Sequence, residues 1–192
     1  MNTLDAIASR RSIRKFKETP IPDDALQKIL TAAIQAPSGG NSQPWRFVVV
    51  REDKRAEMLK VFRDKLAERN AAGEPTAMDE GTAGFMEQAS VTVFVFNAEG
   101  MHPTKPRTTE EEVLRDVVNI QAIGASIQNM LLAAQDLGIG SLWIGRVFKA
   151  YDELCEWLGE ESQMVAAVSF GYPGENPESR PRKPLREVAC YK

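Results

Sequence analysis

The feature that most constrains the fold is a long apolar helix predicted between Thr109 and Asp136. Thr109 and Glu112 match a capping box, in which two side chains satisfy backbone N–H groups at a helix start. At 1.5 Å per residue this helix is about 40 Å long. Its middle carries small side chains that let another backbone approach closely, namely Ala122, Gly124, Ala125 and Ser126. We therefore predict a central helix packed on several sides or across a subunit interface, with one-sided packing on a sheet as the alternative.

Apolar periodicity also defines the buried side of this helix and predicts four further helices. On the long helix the predicted inward positions are Val113, Val117, Ile120, Ile123, Ile127, Leu131 and Leu132. The first helix of the chain is predicted to have Thr3 as its N-cap and to turn Leu4 and Ile7 inward. The other three helices are predicted over residues 22–36, 53–69 (with Asp53 as the cap) and 151–158.

Four strands complete the predicted order α-α-β-α-β-α-β-α-β. Apolar and β-branched runs predict them at Trp45–Val50, at Val91–Phe96, after Gly140 and at Val165–Phe170. Residues 70–84 have no useful periodicity and are predicted to form a mobile loop or lid, and residues 98–108 form a second loop. A Pro-rich tail follows residue 171. The pattern indicates one α+β domain covering residues 1–192.

Composition excludes several classes of protein. A chain of 192 residues that is 43% hydrophobic and 27% charged has room for one substantial core. No run approaches the roughly 20 apolar residues needed to span a bilayer, so no membrane association is expected. The net charge of −3 and the lack of a basic, aromatic-laced stripe argue against nucleic-acid binding. Cys155 and Cys190 follow no metal-ligand or disulfide pattern, which indicates reduced thiols in a cytoplasmic protein.

Both ends of this acidic chain are basic. Residues 1–20 have a net charge of +3 and residues 180–192 of +4, so the 159 residues between them carry −10. Chain termini often lie close together, and the planar guanidinium of arginine donates two hydrogen bonds to a phosphate at once. We therefore predict one anion site built from both ends. The alternative is two solvated charge runs; an export signal is rejected because no apolar segment follows Arg11.

Two further stretches bear on function. Residues 36–45 form a loop of small and polar side chains, in which Gly39 and Gly40 allow close approach of the backbone to another molecule. A plain helix-to-strand connector is the alternative, although it would need fewer residues. The single histidine, His102, lies in a Gly/Pro-flanked loop, so neither a His-rich metal site nor a well-placed catalytic triad is available. A bound organic cofactor is therefore expected to carry any chemistry.

Three segments in this order and spacing resemble the nitroreductase family of flavoproteins. They are Arg10-Arg11-Ser12-x-Arg14, Pro37-Ser38-x-x-Asn41-x-Gln43-Pro44-Trp45 and Gly138-x-Gly140-x-x-Trp143-x-Gly145, and the basic tail Arg180-Pro181-Arg182-Lys183-Pro184 is a fourth match. The resemblance covers residues 4 to about 188. It implies a three-layer α-β-α fold with a central, mostly antiparallel sheet, a long core helix, and a domain-intertwined homodimer with FMN at the subunit interface.

The resemblance also implies which residues hold FMN. Arg10, Arg11, Ser12, Arg180, Arg182 and Lys183 would bind the phosphate and ribityl chain, and Arg14 the N1/O2 edge of the flavin. The partner subunit would contribute Pro37, Ser38, Gly39, Asn41 and Gln43. Main-chain groups of Leu142, Trp143, Ile144 and Gly145 would lie along the ring edge near N5. Residues 82–87 depart from the pattern of larger members of the family, so no cofactor contact is predicted there, and no side-chain acid or base is assigned.

The implied function is an FMN-dependent oxidoreductase with ping-pong kinetics. NADH or NADPH would give hydride to flavin N5, and a flat small-molecule acceptor, a nitroaromatic or a quinone, would then take it. One alternative keeps FMN but changes the chemistry to dehydrogenation, dehalogenation or flavin fragmentation; residues 70–84 lack the Tyr and Lys of a dehalogenase lid. Two others are a non-catalytic flavin-binding protein and a generic phosphate-binding domain.

Overall fold

The computed structural model of the protein describes residues 1–192 and contains one four-stranded sheet. The strands are β1 (Trp45–Val50), β2 (Val91–Asn97), β3 (Gly140–Ile144) and β4 (Gln163–Gly171). They lie side by side in the order β1-β2-β4-β3, and each neighbouring pair is antiparallel. The predicted antiparallel sheet and its four strands are therefore confirmed. Because β3 is at an edge, about half of its backbone N–H and C=O groups are not used by β4.

Seven α-helices surround the sheet. They are α1 (Thr3–Ser9), α2 (Asp23–Ala33), α3 (Glu52–Ala71), α4 (Ala77–Gln88), α5 (Glu110–Asp136), α6 (Tyr151–Leu158) and α7 (Leu185–Val188). Short 3₁₀ turns lie at Gly39–Asn41 and Arg146–Ala150. Five of these α-helices correspond to predicted ones, and α4 and α7 were not expected from the sequence.

The sheet is buried on both faces, which makes the three-layer arrangement. Phe94 and Phe96 of β2 point into a core formed with α3, α4 and α6, whereas Val93 and Val95 point into a core formed with α2 and α5. Successive side chains of a strand point to opposite faces, so a strand covered on both sides must be apolar throughout. The continuous apolar run of β2 follows from this position. Both cores share one sheet.

The long helix α5 has a buried half and an exposed half. Its capping box is present, since Glu112 N–H donates to Thr109 Oγ1 and the Glu112 carboxylate accepts from Thr109 N–H. Ile123 and Ile127 are fully buried. Val113, Val117 and Ile120 were predicted to be inward but are 47%, 49% and 41% exposed in the protomer. By length and composition α5 is the one helix that could cross a membrane, but its packing on α2 and the sheet is that of a core helix.

The prediction of a loop over residues 70–84 is wrong from Ala77 onward. These residues begin α4, in which Ala83 and Met86 are completely buried in the core beside α3. Gly81 and Gly84 lower the local helix propensity and disturb the apolar repeat, so the helical signal is weak in the sequence. Burial of one helix face against the core supplies the stability that propensity does not.

The starts of two predicted helices also need correction. Asn2, and not Thr3, caps α1, because its Oδ1 accepts the Asp5 N–H at 2.9 Å. Leu4 and Ile7 are 76% and 52% exposed rather than inward, and Ala6 is the buried residue of this helix. In α3 the predicted cap Asp53 lies inside the first turn. There its charge is favourable to the helix dipole, which is why it resembled a start signal.

The basic segment after α1 is held against the β3–β4 edge of the sheet. Ile13 N–H donates to Ser141 O at 3.0 Å, and the buried side chain of Ile13 lies over Gly140. A Cβ at Gly140 would lie 3.0 Å from Ile13 Cγ1, and one at Gly171 would lie 2.9 Å from the ring of Phe16. Gly140 and Gly171 pair with each other across the strands. This glycine pair leaves the room in which the basic segment docks.

We expect Gly140→Ala to destabilise the protein by about 1–3 kcal/mol, the usual cost of overpacking a tight contact. The added methyl group would push Ile13 away and loosen the segment that carries Arg10 to Arg14. Urea unfolding followed by circular dichroism measures the change. Gly84→Ala is the matched control, because nothing lies within 4 Å of the position that a Cβ would take there in α4, and the same substitution should be neutral or stabilising. Equal stability of the two variants would contradict the docking argument.

Candidate functional site

The two basic ends of the chain meet in one pocket of about 220 Å³. We call it the basic pocket; its lining residues are Arg10, Arg11, Ser12, Arg14, Pro177, Glu178, Ser179, Arg180 and Arg182. The predicted meeting of the ends is confirmed. Lys183 was predicted to join this group but is not among the lining residues. None of the five arginines forms an ion pair with a carboxylate of the chain, although Glu178 lies in the same lining.

The basic pocket concentrates positive charge, with five arginines and one carboxylate in its lining and no ion pair between them. The pKa of Arg10 is lowered from its usual value, first by burial and then by the positive charges of Arg182 and Arg11. Like charges brought together in this way repel each other, and the cost is recovered when an anion binds between them. The guanidinium of Arg10 makes no hydrogen bond to the chain, and that of Arg182 bonds only to the backbone of its own segment. Their donors are therefore free for a ligand.

Local contacts position the basic segment. Glu175 Oε1 accepts the backbone N–H groups of Arg14 at 2.6 Å and Lys15 at 3.3 Å, which ties the N-terminal segment to the C-terminal tail. Arg11 Nη1 donates to Ala8 O at 2.7 Å, at the end of α1. These bonds hold the backbone of the segment and the side chain of Arg11 in place. The neighbouring side chains of Arg10 and Arg14 line the pocket.

A second cavity lies along the edge of the sheet and has one lining residue in common with the basic pocket. This β3 cleft of about 400 Å³ shares Arg14 with the basic pocket. Its other lining residues are Leu142, Trp143, Ile144, Gly145 and Arg146 from β3 and the following turn, and Met78, Gly81, Thr82 and Phe85 from α4. Trp143 is 43% exposed. The cleft thus has apolar and aromatic walls, with a cation at two places on its rim.

Sequence reasoning found one wall of the β3 cleft and missed the other. Leu142 to Gly145 were predicted to contact a flat ligand, and they line the cleft. The α4 residues Met78, Gly81 and Thr82 were assigned to a loop, and neither they nor Phe85 were given a role. Arg146 was also missed, although it directly follows the predicted motif and extending the motif by one residue would have included it.

The loop at residues 37–43 has an unusual backbone. Gly40, Asn41 and Gln43 all have positive φ, at 57°, 58° and 50°. Asn41 and Gln43 are not glycine, and a positive φ is uncommon for such residues. It persists where the surrounding structure holds the backbone in place. Here the Ser38 hydroxyl accepts the Gln43 N–H at 3.0 Å. The loop packs against α5, since a Cβ at Gly39 would lie 2.6 Å from Val118 Cγ1.

This loop does not contribute to either cavity of its own protomer. Gly39 and Ser42 instead line a groove along the exposed half of α5, with Leu114, Val118 and Asn119. Pro37, Ser38, Asn41 and Gln43 line neither the basic pocket nor the β3 cleft. The prediction that this loop contributes to the partner subunit's site therefore stays a prediction, because the structure contains a single chain.

The remaining chemically notable residues lie away from both cavities. His102 contacts Asp152 through Nε2 at 2.8 Å and Thr104 through Nδ1 at 2.7 Å, joining its loop to α6. Cys155 is buried, as expected for its helix, and burial raises its pKa to about 11, so it is a neutral thiol at pH 7. Cys190 is exposed. No group of three or more His, Cys, Asp or Glu side chains is arranged to hold a metal ion.

Comparisons with known proteins agree on one family. The Nitroreductase family model matches residues 7–172. A candidate NADH dehydrogenase/NAD(P)H nitroreductase of Archaeoglobus fulgidus is 35% identical over 175 residues, covering 88% of this chain and 84% of that protein. The crystal structure of a candidate nitroreductase from Desulfovibrio desulfuricans in complex with FMN is 32% identical, with a TM-score of 0.77 and coverage of 100% and 97%. The NADPH:FMN oxidoreductase of Vibrio harveyi complexed with NAD⁺ is 27% identical, with a TM-score of 0.76 and coverage of 100% and 77%.

Proposed function

Because the chain belongs to the nitroreductase family, we propose that it is an FMN-dependent oxidoreductase that transfers hydride from NADH or NADPH to a flat electron acceptor. The observation that carries this proposal is that Arg14 lines both the basic pocket and the β3 cleft. An anion site whose arginines form no ion pair and a neighbouring cleft with aromatic walls match a ligand with a phosphate and a planar ring. The FMN in the Desulfovibrio structure and the NAD⁺ in the Vibrio enzyme support the same pair of ligands.

The residues present fit FMN. Arg10 and Arg182 have unused donors and would hold the phosphate, with Ser12 toward the ribityl chain. Backbone groups on the free edge of β3, from Leu142 to Gly145, would lie along the ring. When bound, FMN supplies a ring nitrogen, N5, that accepts hydride and returns it.

The chain's own contribution is to bind, orient and tune. Arg14 is the cation common to both cavities, and a positive charge there would stabilise the negative charge of the reduced ring. The aromatic side chains of Phe85 and Trp143 provide a dry surface against which a flat donor or acceptor can stack. Hydride transfer requires no side-chain base, which is consistent with a single histidine that lies in the loop before α5, outside both cavities.

We further propose that the active unit is a homodimer. The protomer exposes a row of apolar side chains on the first half of α5, namely Val113, Leu114, Val117, Val118 and Ile120. Contiguous apolar surface of this kind marks an interaction site. The loop at 37–43 packs on the same half of α5, next to Val118. A second copy covering this surface would receive the loop near its own β3 cleft.

The test is a visible absorption spectrum of the purified protein before and after anaerobic addition of NADPH or NADH. We expect a yellow protein whose flavin absorption, at about 450 nm, is lost on reduction. A nitroaromatic or a quinone should then restore the colour. A yellow protein that stays oxidised would favour a flavin carrier, and a colourless protein that refuses added FMN would rule the proposal out.

A further inference from the structure

The rim of the β3 cleft carries a guanidinium that is held from behind by a buried carboxylate. Arg146 Nη1 donates to Asp79 Oδ1 at 2.6 Å. The side chain of Asp79 is 2% exposed, whereas that of Arg146 is 41% exposed. Arg146 Nη2 also lies 3.5 Å from the sulfur of Met78. The carboxylate therefore lies beneath the surface, and the cleft is faced by the cation.

The charge of the cleft is positive on its exposed surface. Arg14 and Arg146 are its two charged lining residues, and no carboxylate is among the ten residues that line it. The next acidic residue of α4, Glu80, is directed to Arg63, 3.7 Å away. Asp79 engages Nη1 and the Met78 sulfur lies near Nη2, so the N–H group of Nε and the remaining N–H groups of Nη1 and Nη2 are able to bind an anion.

The rest of the cleft wall suits an aromatic ring. Phe85 and Trp143 offer flat surfaces, and Leu142, Ile144 and Met78 complete the apolar lining. With the FMN ring along the backbone of β3, as proposed above, an acceptor that enters the cleft would present a planar body to the flavin and to these side chains, and an anionic substituent to Arg146. Arginine matches a carboxylate best, because its two parallel N–H groups meet both oxygens.

We propose that the electron acceptors of this protein are aromatic compounds that carry a carboxylate, and that Arg146 binds this carboxylate. The inference rests on the proposed function and specifies its substrate class. Arg146 directly follows Gly145 at the sheet edge, within the same cleft as the ring-stacking residues. A carboxylate attached to the acceptor ring would be near it. The phosphates of a pyridine nucleotide offer similar chemistry but are separated from the nicotinamide ring by a ribose, so they are the competing source.

Asp79 acts as a positioning residue in this arrangement. A buried carboxylate is costly unless it is paired, so its pairing with Arg146 fixes the direction of the guanidinium. Removing Arg146 alone would leave Asp79 buried and unpaired, which could unfold the protein. For this reason the test includes the double variant Asp79→Asn/Arg146→Gln, which replaces both charges by amides of similar size, as well as Arg146→Gln.

The experiment compares matched charged and neutral ligands on the FMN-loaded protein, because without FMN the proposed flavin position in the cleft would also be open to an aromatic ligand. Isothermal titration gives dissociation constants for benzoate and benzamide, and steady-state kinetics gives kcat/KM for 4-nitrobenzoate and 4-nitrobenzamide. We expect the unmodified protein to prefer the carboxylate, and the preference to fall about tenfold or more in Arg146→Gln and in the double variant. Arg146→Lys should keep part of it, since the charge remains but the paired donors do not.

A matched control removes a similar ion pair elsewhere. Arg46 is exposed and pairs at 2.6 Å with Glu160, whose side chain is 8% exposed. Neither residue lines the β3 cleft. Arg46→Gln changes the net charge by the same amount and should leave the preference for the carboxylate intact.

Three results would overturn the inference. An unmodified protein without preference for benzoate would do so, and so would a preference unchanged in both Arg146 variants, which would make the pair merely structural. The third is a loss confined to NADPH, relative to a dihydronicotinamide without phosphates, which would assign Arg146 to the donor. Failure of the proposed function has a different signature, namely no bound FMN or no reduction by NAD(P)H, and both are measured before any aromatic ligand is added.

Discussion

Replacing both Arg10 and Arg182 by alanine is expected to weaken FMN binding by about two orders of magnitude or more. A hydrogen bond to a charged group contributes roughly 1.5–3 kcal/mol, and two arginines would be lost from the phosphate end of the site. Neither arginine has a carboxylate partner in the chain, so no compensating interaction takes over. Titration of the protein with FMN, followed by quenching of flavin fluorescence at fixed ionic strength, measures the change.

The fold of this double variant should be intact, and the protein without FMN should be at least as stable as the unmodified one. The pKa of Arg10 is lowered by burial and by the charges of Arg182 and Arg11. A base whose pKa is lower in the folded state destabilises the fold while it is protonated, at every pH below its folded pKa. Removing the two cations therefore relieves repulsion at neutral pH.

Two controls separate the phosphate contact from other effects. Arg46→Ala/Arg51→Ala removes two surface arginines that pair with Glu160 and Asp23, and it should bind FMN normally. Riboflavin, which lacks the phosphate, should bind the unmodified protein and the Arg10/Arg182 variant equally. If FMN bound both proteins with the same affinity, the assignment of the basic pocket to the phosphate would be wrong.

Placing charges on the exposed half of α5 is expected to separate the subunits and release the flavin. Val117 and Ile120 are 49% and 41% exposed in the protomer, and the proposed homodimer would bury them. In Val117→Asp/Ile120→Asp two carboxylates would have to be buried without partners, which costs several kcal/mol each in a dry interface. We expect a folded monomer at micromolar concentration that retains little or no FMN.

Light scattering and the ratio of flavin to protein absorbance test this expectation together. Lys60→Glu on α3 is the matched control, because it changes the net charge by the same −2 at a side chain that is 75% exposed. A variant that remains dimeric would show that this surface is not the interface. A monomer that keeps its FMN would contradict the proposal that the loop at residues 37–43 serves the partner's flavin.

The elements that the sequence predicted well are those with strong local signals. The ends of β1 are exact, and β2 differs by one residue, because β-branched and continuous apolar runs mark buried strands. The start of α5 follows from its capping box, a contact between residues three apart. The four recognised segments could be placed on the chain for the same reason, since each is defined within a few consecutive residues.

Of the two helices that were not expected from the sequence, α4 depends on distant contacts. Nothing within residues 77–88 compensates for Gly81 and Gly84, and the helix is stabilised by burying Ala83 and Met86 against α3. The ion pair of Asp79 with Arg146 joins residues that are 67 positions apart. One wall of the β3 cleft, and with it the basis for a substrate class, therefore could not be read from the local sequence.

The sequence by itself determined the two basic ends, the four strands, the long central helix and the absence of a His-based site. These depend on composition and on short-range patterns. Tertiary structure decided that the ends meet, since Glu175 binds backbone groups of Arg14 and Lys15 across about 160 residues of chain. It also decided that Arg14 joins the basic pocket to the β3 cleft. Such contacts between distant residues are chosen by the packing of the whole sheet and its helices, which no local pattern encodes.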